Sequence, residues 1–439
     1  MYDVAIIGCG VIGAAAAYAL SRYDNKVVIL EAENDVADCT TKANSAILHA
    51  GYDPAPGSLM AKTNVRGEQL AKELCEKLDV ERDEIGSLVL AFNEEDERHL
   101  EMLYRQGLEN GVPGVELLTA DEVHALEPNV SEKVTAALYA PSAAIVSPWE
   151  FALALAETAV VNGCEVQLSA PVTGIDRIDG GYRLHTPKGD FEARYIINAA
   201  GLHCDKVHEM VGGTGFTVHG VRGEYYIMDK SQGNVVSHVI FQCPNEKGKG
   251  VLVAPTVHGN LIVGPSADAV DDVESVANTA FGLEEQCAAI ASHGFRRIAI
   301  INGHGGNTAP TKAALVDINI RLGFPVYFMD YIVVDEAPFL ESQKGMNHAC
   351  ESETSLMLAY DETLVDPIYR ETRGNPNDCT VYEDQGLIST FHRMEAHTEN
   401  GVMGNSYLAT KEKGQALAEA TTRKLVEILS DERIWGLPV

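Results

Sequence analysis

One stretch constrains this chain more than any other: Tyr2 to Glu33, YDVAIIGCGVIGAAAAYALSRYDNKVVILEAE. The apolar run Val4 to Ile7 reads as a buried parallel strand. It breaks into Gly8-Cys9-Gly10-Val11-Ile12-Gly13. An Ala-rich helix to about Tyr23 follows, then a second strand, Lys26 to Leu30, closed by Glu31. Each glycine has a distinct task. Gly8 makes the tight turn, Gly10 lets backbone N–H groups approach a pyrophosphate, and Gly13 lets helix and strand pack closely. The phosphates belong at the positive N-terminus of that helix. Glu31, about 20 residues on, is placed to accept hydrogen bonds from an adenosine ribose. Strand, glycines, helix, strand and acid in this order specify a dinucleotide site, with an ordinary βαβ unit as the structural alternative. The motif by itself does not separate FAD from NAD.

At 439 residues the chain exceeds one typical domain, and two or three domains are expected. Hydrophobic content of 46% with 22% charged residues is globular, not disordered. The net charge of −31 argues against nucleic acid or an anionic membrane as partner, because phosphate binding needs a basic footprint. It does not exclude a small anionic substrate, which one local arginine or lysine can hold. A core strand starting at residue 2 leaves no room for a signal peptide, and the apolar runs are too short to span a bilayer. Nine scattered cysteines without a CxxC pair read as reduced thiols in a cytoplasmic protein. Nothing here decides whether the chain forms a homo-oligomer.

After Glu31, the cluster Thr40, Thr41, Asn44 and Ser45 is a polar loop suited to hydrogen-bonding phosphate or ring edges. His49-Ala50-Gly51-Tyr52 and a Pro/Gly turn lead into a helix, Leu59 to Leu78, with Lys62 and Arg66 on one face. By residue type alone, His49 is as readily a satisfied loop histidine, and the two cations a solvated face. Further on, Pro148 to Val161 reads as a helix, Cys164 to Leu168 as a strand, and Val172 to Ile178 with Tyr182 to Thr186 as a hairpin. Tyr195 to Asn198 is another apolar strand, stopped by Ala199-Ala200-Gly201. Small residues such as Ala200 and Gly201 at a strand's carboxyl end let a cofactor approach the backbone, although a plain strand-to-turn glycine would look the same.

The motifs GCGVIG, NSAILHAGYDPAPGSL, GSLVLAF, APSAAIVSPWEFALALAETAVVNG, RYIINAAGLHCD, GEYYIMDK and LVAPTVHGNLIVGPSA occur in this order over roughly residues 1 to 280. This set resembles the FAD-dependent oxidoreductases related to glycerol-3-phosphate dehydrogenase and L-2-hydroxyglutarate oxidase. The resemblance implies FAD as the cofactor, with the segment Asn44 to Gly51 along the flavin and His49 as a candidate active-site residue. It implies flavin-binding parts at about 1–85 and 146–216 and an inserted β-rich substrate sheet at about 86–145 and 217–280. Arg222 would then face the substrate; a strand-end surface arginine is the alternative.

From about Phe281 a different pattern begins. LEEQCAAIASHG reads as a helix with Gly294 as its C-cap. Phe295 to Ile301 is a buried strand, Asn302-Gly303-His304-Gly305-Gly306-Asn307 a turn, Lys312 to Arg321 a helix and Pro325 to Asp330 the next parallel strand. NGHGGN, HACESETS and GVMGNSYLATKEKG resemble the creatininase family of metal-dependent amidohydrolases. A histidine on a glycine turn at a strand's carboxyl end is placed to ligate zinc, iron or manganese, with a phosphate- or water-binding glycine turn as the alternative. The resemblance implies His304 and Glu353 as metal ligands and His348, read as part of a helix, as an acid/base beside a metal-bound water. Gly306 stands where the family often carries a second acid.

Two parts expected from the families are absent from the pattern. After Ala280 there is no glycine-rich strand–turn–helix to close over a flavin ring. Nor is there a Glu-x-His strand ahead of residue 281 to supply the remaining metal ligands. The fold expected is α/β: a Rossmann-like FAD-binding domain with an inserted β-rich substrate domain over 1–280, then a second, creatininase-like parallel-sheet domain over 281–439. The leading functional reading is an FAD-dependent oxidoreductase acting on the CH–OH group of a small anionic substrate, glycerol 3-phosphate or a 2-hydroxy acid. A metal-dependent amidohydrolase and a chimeric, non-catalytic chain with two incomplete sites are the alternatives.

Overall fold

Alternation between apolar strands and an alanine-rich helix builds the first layer. β1 (Tyr2–Ile7) is flanked by β2 (Val27–Leu30) on one side and by the strand Gly189–Asn198 on the other, both parallel to it. The full sheet runs Gly174–Ile178, Gly181–Thr186, Gly189–Asn198, β1, β2, Glu165–Gln167. α1 (Val11–Leu20) lies on one face with the helix Pro148–Val161. Ala14 and Ala17 bury there against Leu155 and Ala159, and their small side chains allow close approach. The other face holds Ala5, Ile7, Leu184 and Val207. The computed structural model describes residues 1–243, 252–274, 279–292, 296–342, 348–373 and 402–436. They divide between two compact units, Met1–Asn278 and Thr279–Val439.

The second sheet of the first unit runs Tyr226–Met228, Leu261–Gly264, Leu252–Pro255, Val239–Gln242, Ser87–Ala91, Ala136–Ala140, Glu116–Thr119. It is antiparallel except where Val239–Gln242 lies parallel to Ser87–Ala91. A long helix, Glu94–Asn110, interrupts the part read as β-rich. Its start is strongly signalled: the Asn93 side chain accepts from the N–H groups of Glu95 and Asp96, and four acids occupy the first turn. α2 (Leu59–Leu78) has the expected bounds, capped by the Ser58 hydroxyl and ended by left-handed Asp79. Its buried Glu68 pairs with buried Arg82 at 2.5 Å.

In the second unit the strands Ile298–Asn302 and Val326–Asp330 pair in parallel, joined through the helix Thr308–Leu322. The helix Ala280–Ser292 precedes them; Gly294, read as its cap, lies outside the described residues. The helices Glu351–Tyr360 and Lys411–Leu429 pack together at Gly414, where a Cβ would stand 1.8 Å from the Ser355 carbonyl oxygen. Among the described residues, no helix is long and apolar enough to cross a membrane.

Candidate functional site

The dinucleotide fingerprint folds as a tight strand–turn–helix. Gly8 sits at φ +96°, and a Cβ there would come 2.5 Å from the Ala199 carbonyl oxygen. At Gly13 a Cβ would come 2.0 Å from the Gly8 carbonyl oxygen. Both glycines are required by the fold itself. Gly10 differs: a Cβ would meet only the Thr41 hydroxyl, at 3.1 Å, so its smallness keeps space clear in front of α1. The Val11 N–H at the helix start donates to that hydroxyl at 3.0 Å. Thr41 thus presents an oxygen where the helix favours anions.

Glu31 is buried at the end of β2. Its Oε2 accepts from the Cys9 N–H at 2.5 Å and its Oε1 from the Glu33 N–H at 2.9 Å. A carboxylate has about four acceptor sites, so ribose hydroxyls can still be bound. Burial, with Glu31 and Asp35 nearby, pushes the Cys9 thiol up to about 12, so it stays a thiol. Thr40 and Thr41 offer backbone carbonyls to the Asn44 amide, while Asn44 Oδ1 accepts from Ala46 N–H. Asn44 therefore shapes the loop through its own side chain. Ser45 reaches across to the Tyr225 hydroxyl at 2.7 Å, joining this loop to the segment between the strands Gly220–Arg222 and Tyr226–Met228. Burial raises the Tyr225 phenol more than the Ser45 contact lowers it. Ala200 and Gly201 (φ +52°) follow the strand Gly189–Asn198, next to the Ala199 backbone that touches Gly8.

His49 is exposed at the end of the strand Ile47–Leu48, its ring stacked on Phe241 at 5.7 Å between centroids. Both side chains line a cavity of about 110 Å³, with Tyr52, Asp53, Met60 and Gln242 among the other walls. Among the described residues, no lysine or arginine lines it. Lys62 and Arg66 are exposed on α2, and Arg66 reaches Gln69. Arg222 is partly buried, with its guanidinium 3.6 Å from the buried Glu224 carboxylate. Sequence reading did not single out Tyr225, Glu224 or Phe241. Tyr225 and Phe241 act through contacts across the fold, which local pattern does not encode, while Glu224 faces Arg222 two positions away.

The proposed metal residues sit differently from expectation. His304 is exposed after its strand as anticipated, but its Nδ1 accepts from Gly306 N–H and caps its own turn. The helix read as carrying His348 begins only at Glu351, because Ala349 adopts φ +49°; His348 lies outside it and is exposed. Glu353 turns back to accept from Ala349 N–H at 2.6 Å. Among the described residues no three His, Cys, Asp or Glu side chains come together to hold a metal. The described donor set therefore does not fit a metal centre. Glu351 is fully buried in this region; it pairs with Lys413 at 2.7 Å and accepts from the Glu341 and Ser342 N–H groups. Burial alone would raise its carboxyl; Lys413 and those N–H groups outweigh it and hold the carboxyl below its usual range.

Residues 3–314 match the family of FAD dependent oxidoreductases. The chain belongs to that family. Residues 279–429 match a second one, creatinine amidohydrolase, so the two matches overlap just past the end of the first compact unit. Within the oxidoreductase family the chain is 48% identical over 283 residues to a glycerol 3-phosphate dehydrogenase of Caloramator mitchellensis, covering 64% of this chain and 59% of that one. It is 30% identical to the L-2-hydroxyglutarate dehydrogenase of Escherichia coli K12, covering 68% and 71%. The solved L-alpha-glycerophosphate oxidase of Mycoplasma pneumoniae, with FAD bound, superimposes with a TM-score of 0.61 at 31% identity, covering 67% and 77%.

Proposed function

We propose that the first unit binds FAD and oxidises the CH–OH group of a small anionic substrate, glycerol 3-phosphate or a 2-hydroxy acid. The observation that carries this is the open space in front of Gly10 at the start of α1, with the buried Glu31 carboxylate beside it. Those residues fit the adenosine and pyrophosphate of FAD, with Thr40 and Thr41 at the phosphates. Bound there, the flavin supplies the acceptor for a hydride from the alcohol carbon. His49, held by Phe241 beside a cavity, takes the hydroxyl proton. Because no described lysine or arginine lines that cavity, the anion is assigned to Arg222, with Lys62 and Arg66 as a cationic approach on α2.

Two measurements test this reading. Protein reconstituted with FAD is mixed without oxygen with glycerol 3-phosphate or L-2-hydroxyglutarate, and loss of the oxidised-flavin absorbance is followed. Bleaching by one of them, slowed by about 10²–10⁴-fold in His49→Asn, is expected. Bound flavin that neither compound reduces would sink the substrate assignment. Protein that binds no ADP would sink the cofactor assignment. No hydrolytic step is placed on His304, His348 or Glu353, since the described side chains converge on no metal.

A further inference from the structure

The cavity beside His49 has two kinds of wall. Its floor is apolar and dry: Tyr52, Val89 and Leu103 are buried there, and half-buried Phe241 stacks on His49. Apart from His49 and the Tyr52 phenol, the polar side chains that line it among the described residues are one carboxylate, Asp53, and two amides, Asn64 and Gln242. The carboxylate stands on a loop that is fastened from behind. The Asn110 amide, at the end of the helix Glu94–Asn110, donates to the Gly51 carbonyl at 3.0 Å and to the Pro54 carbonyl at 2.8 Å. The Gln106 amide reaches the Asp53 carbonyl at 3.4 Å. The chain is thus held on both sides of Asp53, which fixes its charge at the rim. That charge is felt inside the cavity. Burial raises the Tyr52 phenol above its usual value, and the Asp53 carboxylate adds to the rise.

We propose that Asp53 makes this cavity a subsite for an uncharged, hydroxyl-bearing carbon, so that the substrate is a polyol phosphate and not a hydroxy dicarboxylate. The inference rests on the reading of His49 as proton acceptor and narrows it. With the reacting carbon at His49, one of its two neighbouring carbons enters the cavity. In glycerol 3-phosphate that neighbour is a hydroxymethyl group. Its hydroxyl donates to the Asp53 carboxylate or exchanges hydrogen bonds with the Asn64 and Gln242 amides, while its methylene rests on the apolar floor. The phosphate then lies outside, with the cations already assigned to it. A 2-hydroxyglutarate turned either way brings a carboxylate toward Asp53, directly on the reacting carbon or two methylenes beyond it. Such a group has acceptors only, and it gives up hydration against an apolar floor. Two like charges about 6 Å apart, at the effective dielectric of a protein surface, cost about 10²-fold in affinity.

The matched probe is 3-phosphoglycerate, which differs from glycerol 3-phosphate only in having a carboxylate in place of the hydroxymethyl group. The full chain, reconstituted with FAD and kept reduced so that no hydride moves, is titrated with each compound in a calorimeter. Glycerol 3-phosphate should bind at least about tenfold more tightly. Asp53→Asn should shrink that ratio by about tenfold, whereas Asp53→Glu, which keeps the charge, should hold it. Gln242→Lys, on another wall of the cavity, should shrink the ratio as well and decides the matter if Asp53→Asn does not fold. Equal binding of the two compounds, or a ratio that no folded variant moves, would overturn the assignment to Asp53. Oxidised flavin bleached by L-2-hydroxyglutarate and not by glycerol 3-phosphate would overturn it too, while leaving His49 as the proton acceptor. Flavin bleached by neither would overturn both.

Discussion

The three fingerprint glycines look alike in sequence and carry different loads in the fold. A Cβ at Gly13 would sit 2.0 Å from a carbonyl oxygen that cannot move without dragging β1. Gly13→Ala is therefore expected to destabilise the first unit by about 1–3 kcal/mol, read by chemical denaturation. Gly10→Val is expected to leave stability nearly unchanged and to abolish ADP binding in calorimetry, because the space it fills belongs to the ligand. If Gly10→Val unfolds the protein, or binds ADP like the parent, the division of roles is wrong. A second residue-scale test concerns His185, held between Asp190 at 2.8 Å and Asp176 at 3.0 Å. Hydrogen bonds that the ring donates to Asp176, and then to Asp190, raise its titration above the usual 6.5. A raised folded value contributes stability below the unfolded value and loses it as pH rises through the folded one. The group is exposed, so the effect is sought by NMR titration: Asp176→Asn with Asp190→Asn should return the midpoint toward 6.5. The close approach of Gly13 to Gly8 was legible because it arises within one strand–turn–helix, whereas the Gly8 contact with Ala199 was not. The Ser45–Tyr225 contact spans 180 positions and left no local trace.

Elements were read more reliably than what they carry. α2 and the helix Pro148–Val161 have the bounds that periodicity and capping residues indicate, since Ser58 and Ser147 cap both starts. The helix expected to begin near His348 starts three residues later because the backbone turns left-handed at Ala349, a conformation an alanine does not advertise. The motif residues around it serve the packing of two helices. Lys413 bonds to Glu341, Glu351 and the Leu408 carbonyl, and Gly414 brings the helix Lys411–Leu429 against Ser355. Removing the Glu351 charge leaves Lys413 with Glu341 and the Leu408 carbonyl but leaves the buried end of the pair one charge short, and Glu351→Gln should cost about 1–3 kcal/mol. The pH dependence follows from sign. Folding lowers the Glu351 carboxyl below its usual 4.5, so its contribution is full above that value and is lost as pH falls through the lower folded one. Acid unfolding of the second unit should therefore begin below about pH 4.5 and be flatter in Glu351→Gln. An unchanged acid limb would show that other carboxylates control it.

At the scale of the whole molecule, matches to two family models meet in one chain, and the two compact units part at Asn278 and Thr279. The order of seven motifs made the first half readable, because a dinucleotide fold is written in consecutive turns. The second half was readable as a parallel βαβ unit, but its chemistry was not, since ligand convergence depends on side-chain directions that spacing does not fix. His304 and Glu353 each satisfy a neighbouring N–H instead. Each unit has an interior of its own: Ile6, Ile29 and Leu155 in the first, Ile318 and Leu417 in the second. Two thermal transitions are therefore expected in calorimetry rather than one. Ligand linkage assigns them. A ligand that binds only folded protein stabilises it by about 2.7 kcal/mol at 100 times its dissociation constant. ADP should raise one transition and leave the other in place, while Glu351→Gln should lower only the one ADP does not move. Zinc or manganese, meeting no convergent ligand set among the described residues, should shift neither by more than about 1 °C at micromolar concentration. A single transition that responds to both ADP and Glu351→Gln would show that the two halves share one cooperative core. A metal-induced rise confined to the second transition would put a metal site back into that half.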